Sequence, residues 1–280
     1  MFGHRISVMI LVLLTGMGSS AGVAQMPLEP ASNKGKTVTP VFEGWYRNPD
    51  GSFSLSFGYF NRNFVEVLEI PVGQDNFFGP GPADRGQPGH FQPRRHWGVF
   101  AVTVPADFGY ERLVWTLKVR GETFSIPGSL NRDWQIDALQ GEAGSGNTPP
   151  SIRFQAGGPE GSGPAGVTGP ALATTVGTPL AVTAWAADDG NASGAVRDPG
   201  DEGQPVTLTW FKHQGPGTVS FSTASHKVDY SGGEATTMVT FSDPGKYVLR
   251  VRANDASGVR GAGYAQCCWT NGFVSVDVTE

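Results

Sequence analysis

The acidic side chains of the C-terminal half are the residues of this chain best suited to hold a metal ion. They fall on two segments next to alternating apolar runs: Asp188, Asp189, Asp198, Asp201 and Glu202, then Asn254 and Asp255. If the runs are the second, third and sixth strands of a sandwich, the two segments meet at one end of it. Ca²⁺ prefers carboxylate and amide oxygens, so the pattern predicts a Ca²⁺ site, although its spacing matches no EF-hand. The alternative is a solvated acidic loop.

The segment from Gln74 to His96 is the best candidate for a binding loop in the N-terminal half. A connection of this length in a compact domain is often functional. Apolar anchors surrounded by arginines are typical of protein docking surfaces, and the predicted partner-binding residues here are Phe77, Phe78, Arg85, Arg94 and Arg95. The alternative is a loop that packs its phenylalanines back onto its own core.

Trp185 adds a third candidate. It lies in the run LAVTAWAAD, where Leu180, Val182 and Ala184 share the opposite parity. Side chains alternate between the two faces of a strand, so Trp185 is predicted to point outward. An exposed tryptophan can stack on a sugar ring or contact a protein partner. The alternative is that a neighbouring domain or insertion covers it.

Cys267 and Cys268 are the only cysteines and are adjacent. In an oxidising compartment they can form a vicinal disulfide, remain two free thiols or link to another chain. We expect a vicinal bridge to stiffen the turn before the last strand and to contribute little to global stability, because the loop that it closes is minimal.

Motifs of enzymes are absent from the sequence. It contains no HExxH and no GxSxG, and the GxGxxG match at Gly161 to Gly166 lies in a segment with no strand before it and no helix after it. The sequence therefore predicts a protein that is not an enzyme.

Four consecutive β-strands are predicted between Pro205 and Asp255 from strict alternation and from the turns GPG and DPG. Trp210 is predicted to point into the core. Tyr247 follows a turn and is predicted to form a tyrosine corner. Arg250 and Arg252 share one parity, which predicts a face in water.

The runs VTLTWFKHQGPGTVSFS and TTMVTFSDPGKYVLRVRAND resemble the PKD (polycystic-kidney-disease-type) repeat and its Ig-like relatives in bacterial surface proteins. The resemblance covers about half of the chain, from Asn147 to Glu280. It implies an Ig-like β-sandwich with a spacer, adhesion or carbohydrate-associated role outside the cell, and it implies no catalytic residues. The Gly/Pro insertion and the cysteine pair depart from the family pattern.

The N-terminal half also alternates in short strands, with an NPDG hairpin turn at Asn48 to Gly51. It resembles segments of uncharacterised exported bacterial proteins. The expected fold is all-β, with two tandem antiparallel sandwich domains joined by a Gly/Pro-rich linker. The predicted boundaries are 25–140 for the first domain, 141–170 for the linker and insertion, with a first strand near 151–154, and 171–280 for the PKD-like domain. We expect the run 157–170 to loop out.

Residues 1–24 have the pattern of a secretory signal peptide, with a basic start, a short apolar run and small residues before Gln25. Cleavage would leave 19 basic and 25 acidic residues, a net charge of −6, which argues against nucleic-acid binding. No later segment is apolar enough to span a membrane. The sequence predicts an exported, periplasmic or extracellular protein that binds or supports a protein assembly, or alternatively an accessory carbohydrate-binding or adhesion protein with a polysaccharide partner.

Overall fold

The computed structural model describes residues 32–137, 146–191, 203–257 and 268–280. Regular structure in these ranges is β-strand, apart from one 3₁₀ turn at Arg132–Trp134. No helix in them is long and apolar enough to cross a membrane. The predicted signal peptide lies outside the described residues, and Ser32–Glu280 forms one compact unit.

Eight strands build the first half, and they form two three-stranded antiparallel sheets, β1-β2-β6 and β4-β7-β8, with a small β3-β5 pair. Phe57, Phe78 and Trp115 come from both larger sheets, and their rings lie 5.3 to 6.1 Å apart between centroids. The two sheets therefore enclose one aromatic core. The strands are β1 (Val38–Arg47), β2 (Phe53–Asn61), β3 (Leu68–Glu69), β4 (Asn76–Gly79), β5 (His90–Phe91), β6 (Arg94–Val104), β7 (Leu113–Val119) and β8 (Glu122–Gly128).

Alternation explains the inner face of β2 but not its outer face. Leu55 and Phe57 are buried in the core as the pattern predicts, yet Ser54 and Ser56 are buried as well. Tyr46, which pairs with Ser54 across the sheet, accepts a hydrogen bond on its hydroxyl from the Ala165 N–H of the second half. The β1-β2-β6 sheet is thus covered on both faces.

The second half is a larger sandwich. Its sheets have the orders β10-β9-β13-β17-β15 and β11-β19-β18-β14-β16, with β12 also on β19. Seven of these strands follow the ABED and CFG order of Ig-like sandwiches. The strands are β9 (Ser151–Arg153), β10 (Glu160–Ser162), β11 (Val167–Thr168), β12 (Leu172–Thr175), β13 (Leu180–Ala187), β14 (Val206–Gln214), β15 (Val219–Phe221), β16 (Ser225–Val228), β17 (Gly233–Phe241), β18 (Gly245–Asn254) and β19 (Trp269–Thr279).

The predicted core positions of this sandwich are confirmed. Trp210 is 2% exposed and packs in the core, whereas Phe211 lies on the opposite face. Tyr247 is buried, and its hydroxyl donates to the Asp243 carbonyl at 2.7 Å, as a tyrosine corner requires.

The predicted solvent face of β18 is wrong. Arg250 is 3% exposed, and its guanidinium lies 4.5 Å from the centre of the Phe211 ring. Nη1 of Arg250 lies 3.1 Å from Asn271 Oδ1 and 3.4 Å from the Val99 carbonyl of β6. Arg252 is half-buried beside it. This face packs against the first half, so the alternation separates the two faces of β18 correctly but does not show which face another element covers.

We call the contact between the halves at Gly98, Val99, Arg250, Trp269 and Asn271 the junction. The Gly98 carbonyl accepts hydrogen bonds from Trp269 Nε1 at 3.1 Å and from Asn271 Nδ2 at 2.7 Å. Gly98 has φ +42°, and a Cβ at this position would overlap the Trp269 ring. Only glycine fits a backbone that approaches so closely and adopts this φ.

His213 extends the contact between the halves. Its Nε2 donates to the Gly86 carbonyl at 2.8 Å, and its own carbonyl accepts from the Gly89 N–H at 2.9 Å. Burial, and then the nearby Arg250 charge, lower the pKa of His213 to about 3, so the ring is neutral at physiological pH.

The run 157–170 does not simply loop out. Part of it forms β10, which pairs with β9, and β11, which lies parallel to β19. Asn271 fixes the turn between them, since its N–H donates to the Gly163 carbonyl and its side-chain amide donates to the Pro164 carbonyl. Backbone hydrogen bonds thus hold a segment that has few apolar side chains to bury.

Candidate functional site

The acidic end of the second half brings together Asp188, Asp189 and Asp255. Their carboxylates already accept local hydrogen bonds: Asp189 from Thr148 Oγ1 at 2.9 Å, Asp188 from the Gly190 N–H at 3.1 Å, and Asp255 from Asn147 Nδ2 at 2.7 Å. Asn254 is the last residue of β18 and directly precedes Asp255, whereas Asp198, Asp201 and Glu202 lie outside the described residues.

The mutual repulsion of these carboxylates affects the pKa of Asp188. Burial, and then the charges of Asp189 and Asp255, raise the pKa of Asp188 to about 7. In the ranges that the structure describes, no three Asp, Glu, His or Cys side chains lie close enough together to hold a metal ion. Calcium binding at this end therefore stays a prediction.

The structure contradicts the prediction of Phe78 as a surface anchor. Phe78 on β4 is 2% exposed and stacks on Trp115 at 5.9 Å in the first core. Phe77, its neighbour of opposite parity, is half-buried with Lys118 Nζ 5.5 Å from its ring. Arg85 is half-buried, and its Nε donates to the Pro82 carbonyl of its own loop. The loop thus packs one phenylalanine inward, which is the alternative that the sequence left open.

Arg95 is also not a free rim residue, and this part of the prediction is wrong too. Both oxygens of the buried Glu43 lie within 2.8 Å of Arg95 Nη2, and the guanidinium stacks 3.9 Å from the Trp97 ring. Burial raises the pKa of Glu43 and Arg95 opposes this shift. The pair compensates a buried charge, so Arg95 has a structural role.

Arg94 is different, because it is exposed and has φ +73°. Its guanidinium carbon lies 4.0 Å from the centre of the Phe64 ring and 5.1 Å from that of Phe60. The guanidinium carbon of Arg62 lies 5.5 Å from the centre of the Phe60 ring. Phe64, Val65 and Val67 are 44%, 57% and 41% exposed. We call this group the Arg94 surface: Phe60, Arg62, Phe64, Val65, Val67 and Arg94.

Buried amides hold the backbone of the Arg94 surface in place. Asn61 Nδ2 donates to the carbonyls of Glu66 and Phe91, and Asn63 Nδ2 donates to the Lys36 carbonyl. Both asparagines are fully buried. The apolar side chains of the surface are therefore presented by a fixed loop.

Sequence reasoning found only Arg94 of this surface. The segment that begins at Phe64 forms no long strand, and β3 covers only Leu68–Glu69. The N–H groups of Phe64 and Val65 donate instead to the carbonyls of Ser32 and Asn33. The signal available in the sequence was the pair Asn61 and Asn63, since asparagine side chains at the start of a loop commonly bond its backbone.

Trp185 lies on β13 with the parity opposite to the buried Val182 and Ala184, and it is half-buried. Its strand neighbours across the sheet are Arg153 and Glu234. The structure thus offers part of the ring to solvent, and sugar binding by Trp185 stays a prediction.

Cys268 is fully buried at the start of β19, with Sγ 3.7 Å from the Asn147 carbonyl, and it is disulfide-bonded. Cys267 lies outside the described residues. The predicted vicinal ring therefore stays a prediction.

Comparison with known proteins assigns no family. No protein-family model and no curated protein matches the chain. Among solved structures, the D00-D0 domain of intimin matches with 12% identity and a TM-score of 0.27, covering 87% of this chain and 100% of that one. Domains 4 and 5 of the S-layer protein SbsC match with 12% identity and a TM-score of 0.24, covering 88% and 98%. Titin-A168169 matches with 14% identity and a TM-score of 0.23, covering 86% and 99%. These scores are too low to support an assignment.

Proposed function

We propose that this chain is an exported, non-enzymatic protein that binds a protein partner in a periplasmic or cell-surface assembly through the Arg94 surface. The observation that carries the proposal is a fixed, exposed group of apolar side chains around an arginine held between two rings. Contiguous exposed apolar side chains are more often interaction sites than single exposed apolar residues are.

The conformation of Arg94 supports a functional role. A non-glycine residue with positive φ is uncommon and costs on the order of 1–3 kcal/mol, and such residues cluster at binding sites. Cation–π contacts at exposed positions contribute only about 0.5–1 kcal/mol each, so they do not clearly offset that cost. The strain is therefore consistent with selection for presenting the guanidinium.

Charge indicates the chemistry of the partner. Within the described ranges neither Arg62 nor Arg94 forms an ion pair, whereas the neighbouring Glu66 pairs with Arg120 at 2.8 Å. A partner that places carboxylates over the two free arginines and apolar side chains over Phe64 and Val65 would complement the surface.

Site-specific photo-cross-linking tests this role in the source organism. A photoreactive residue at Val65 is expected to give one discrete protein adduct, while the same residue at the exposed Lys227 of β16 gives none. Arg94→Ala and Phe64→Ser are each expected to remove the adduct. The same adduct from Val65 and from Lys227, or an adduct that persists in both Arg94→Ala and Phe64→Ser, would contradict the proposal.

Export is tested separately. The pattern of residues 1–24 supports cleavage before Gln25, so N-terminal sequencing of periplasmic or secreted protein is expected to begin at Gln25. Full-length protein starting at Met1 in the cytoplasm or in a membrane pellet would contradict export without touching the role of the Arg94 surface.

A further inference from the structure

A groove of about 690 Å³ opens at one end of the first half. Its lining includes three aromatic rings, two arginines and an asparagine: Trp45, Phe53, Tyr110, Arg112, Asn131 and Arg132. We call it the Tyr110 groove. Its volume lies within the range of about 300–1,000 Å³ that is usual for ligand sites.

The floor of the groove is fixed by Trp45. Its indole Nε1 donates to the Asn131 carbonyl at 2.6 Å, and its backbone carbonyl accepts from the Ile136 N–H at 2.8 Å. The ring meets Phe53 edge-on at 5.4 Å. The segment after β8 is thereby held against β1, so the groove is present without a ligand.

One wall of the groove is the connection between β6 and β7. Phe108 is buried and anchors it, and the Glu111 N–H donates back to the Phe108 carbonyl at 3.1 Å. Gly109 turns the chain with φ +56°. Tyr110, which follows, is fully exposed, and the described residues give it neither a ring contact nor a hydrogen bond. An aromatic face is therefore held out beside the groove and left uncovered.

The charges that line the groove have one sign. Arg112 and Arg132 are both exposed and form no ion pair with any described residue, and the lining contains no carboxylate. Glu111 and Asp133 adjoin these arginines in sequence but do not line the groove. Guanidinium groups bind carboxylates and sulfates in a planar, bidentate manner, which favours an anionic ligand.

The backbone at the groove argues against a peptide ligand that adds as a strand. The edge of β1 at Trp45 is already covered, because Trp45 forms a bridge with Gln135. A peptide would therefore have no free strand edge to pair with here. A flat ring beside polar donors suits a sugar, whose apolar face can stack on an aromatic ring.

We propose that the Tyr110 groove binds a segment of an acidic polysaccharide. Tyr110 stacks on one sugar ring, and Arg112 and Arg132 bind the carboxylate or sulfate groups that the polysaccharide carries. This site is separate from the Arg94 surface and does not rest on the function proposed there.

The test uses the mature full-length chain and three probes: an oligogalacturonate, the methyl ester of the same oligomer, and an oligoglutamate of similar charge. We expect calorimetric binding of the oligogalacturonate, and binding at least about tenfold weaker for the ester because the arginines lose their anionic partners. Oligoglutamate is expected to bind as weakly as the ester. Equal binding of ester and acid, or stronger binding of oligoglutamate, would overturn the proposal.

Variants locate the site. Tyr110→Ala and the double variant Arg112→Gln/Arg132→Gln are each expected to weaken oligogalacturonate binding about tenfold or more. Lys227→Gln, which removes one exposed positive charge outside both the groove and the Arg94 surface, is the control and is expected to change binding less than about twofold. All four substitutions are at exposed positions, and unchanged melting temperatures show that the variants are folded. No binding by the wild type, or equal loss in the control, would overturn the assignment.

Discussion

Arginine lies over phenylalanine in two regions of this molecule, and only one of them is open to solvent. At the junction, Arg250 lies 4.5 Å from the Phe211 ring centre and is 3% exposed. At the Arg94 surface, Arg94 lies 4.0 Å from the Phe64 ring centre and both residues are exposed. The local contact is alike, so the difference comes from the first sandwich, which covers Arg250. Residue type and pairwise contact do not determine whether such a group is structural or free to bind.

The largest expected effect distinguishes the two regions by stability. Trp269→Ala at the junction removes a fully buried ring and is expected to cost about 3–5 kcal/mol of unfolding free energy. Phe64→Ala at the Arg94 surface is expected to cost less than about 1 kcal/mol, because the side chain is already 44% exposed. Urea unfolding of both variants measures the difference. Similar losses would mean that the Arg94 surface is part of the core.

The next effect is a pH dependence that arises from two histidines near Arg250. Burial, and then the Arg250 charge, lower the pKa of His213 to about 3 and that of His96 to about 4. Both groups therefore stabilise the fold fully above an unfolded pKa of 6.5, and this contribution is lost as the pH falls towards the folded values. At about pH 5 each histidine is expected to lower the unfolding free energy by about 2 kcal/mol relative to neutral pH.

Unfolding free energies at about pH 7.5 and about pH 5 measure this contribution. His213→Gln keeps a side chain that can donate to the Gly86 carbonyl and is expected to reduce the pH dependence by about half. An unchanged dependence in the variant would show that His213 is protonated in the folded protein.

A matched pair of arginine substitutions gives a smaller effect. Arg250→Ala loses the hydrogen bonds to Asn271 and Val99 and the packing of the side-chain stem, but it also relieves a buried charge that no described carboxylate pairs. The expected net cost is about 1–2 kcal/mol. Arg94→Ala is expected to change stability by no more than about 0.5 kcal/mol. A larger loss of stability in Arg94→Ala than in Arg250→Ala would show that Arg94, and not Arg250, has the structural role.

The smallest expected effect lies at the acidic end, because solvent screens the partly exposed Asp188, and it has the opposite sign with pH. The pKa of Asp188 is raised to about 7 by burial and by Asp189, so its stabilising contribution is present at low pH and lost as the pH rises through about 7. In the presence of chelator, Asp188→Asn is expected to raise the melting temperature at about pH 8 and to leave it unchanged at about pH 3, below the ordinary pKa of 3.8.

Adding Ca²⁺ tests the predicted metal site in the same measurement. Binding would raise the melting temperature of the wild type at about pH 8, because the cation offsets the repulsion, and the gain would be smaller in Asp188→Asn. A melting temperature that does not respond to Ca²⁺ would contradict the predicted site and leave the pH effect intact.

The sandwich of the second half could be predicted because the patterns that specify it, alternation and turns, are local in the sequence. Alternation fixed the burial of Trp210, and a turn followed by an aromatic residue fixed the hydroxyl bond of Tyr247. Parity separates two faces but does not say which face another sandwich covers, which is why Arg250 was expected in water. A charged side chain is buried here because the junction supplies carbonyl and amide partners from distant residues.

The candidate site was predicted only in part for a similar reason. Arg94 is exposed as a partner-binding residue requires, whereas Phe78 belongs to the core and Arg95 compensates the buried Glu43. Phe77 and Phe78 are adjacent on a strand, so they cannot both lie on one face. Phe64 and Val65 are exposed because buried asparagine side chains hydrogen-bond the backbone of their loop. The alternation of apolar residues does not predict such hydrogen bonds.

Gly98 has a consequence for how this protein can evolve and be engineered. Its carbonyl accepts two side-chain hydrogen bonds from β19, and its missing Cβ leaves room for the Trp269 ring. The second sandwich expressed alone would expose Trp269, Asn271 and a cationic face around Arg250, and it would be prone to aggregation. The two halves are therefore not interchangeable modules, and gene fusions that recombine them with other domains must carry both together.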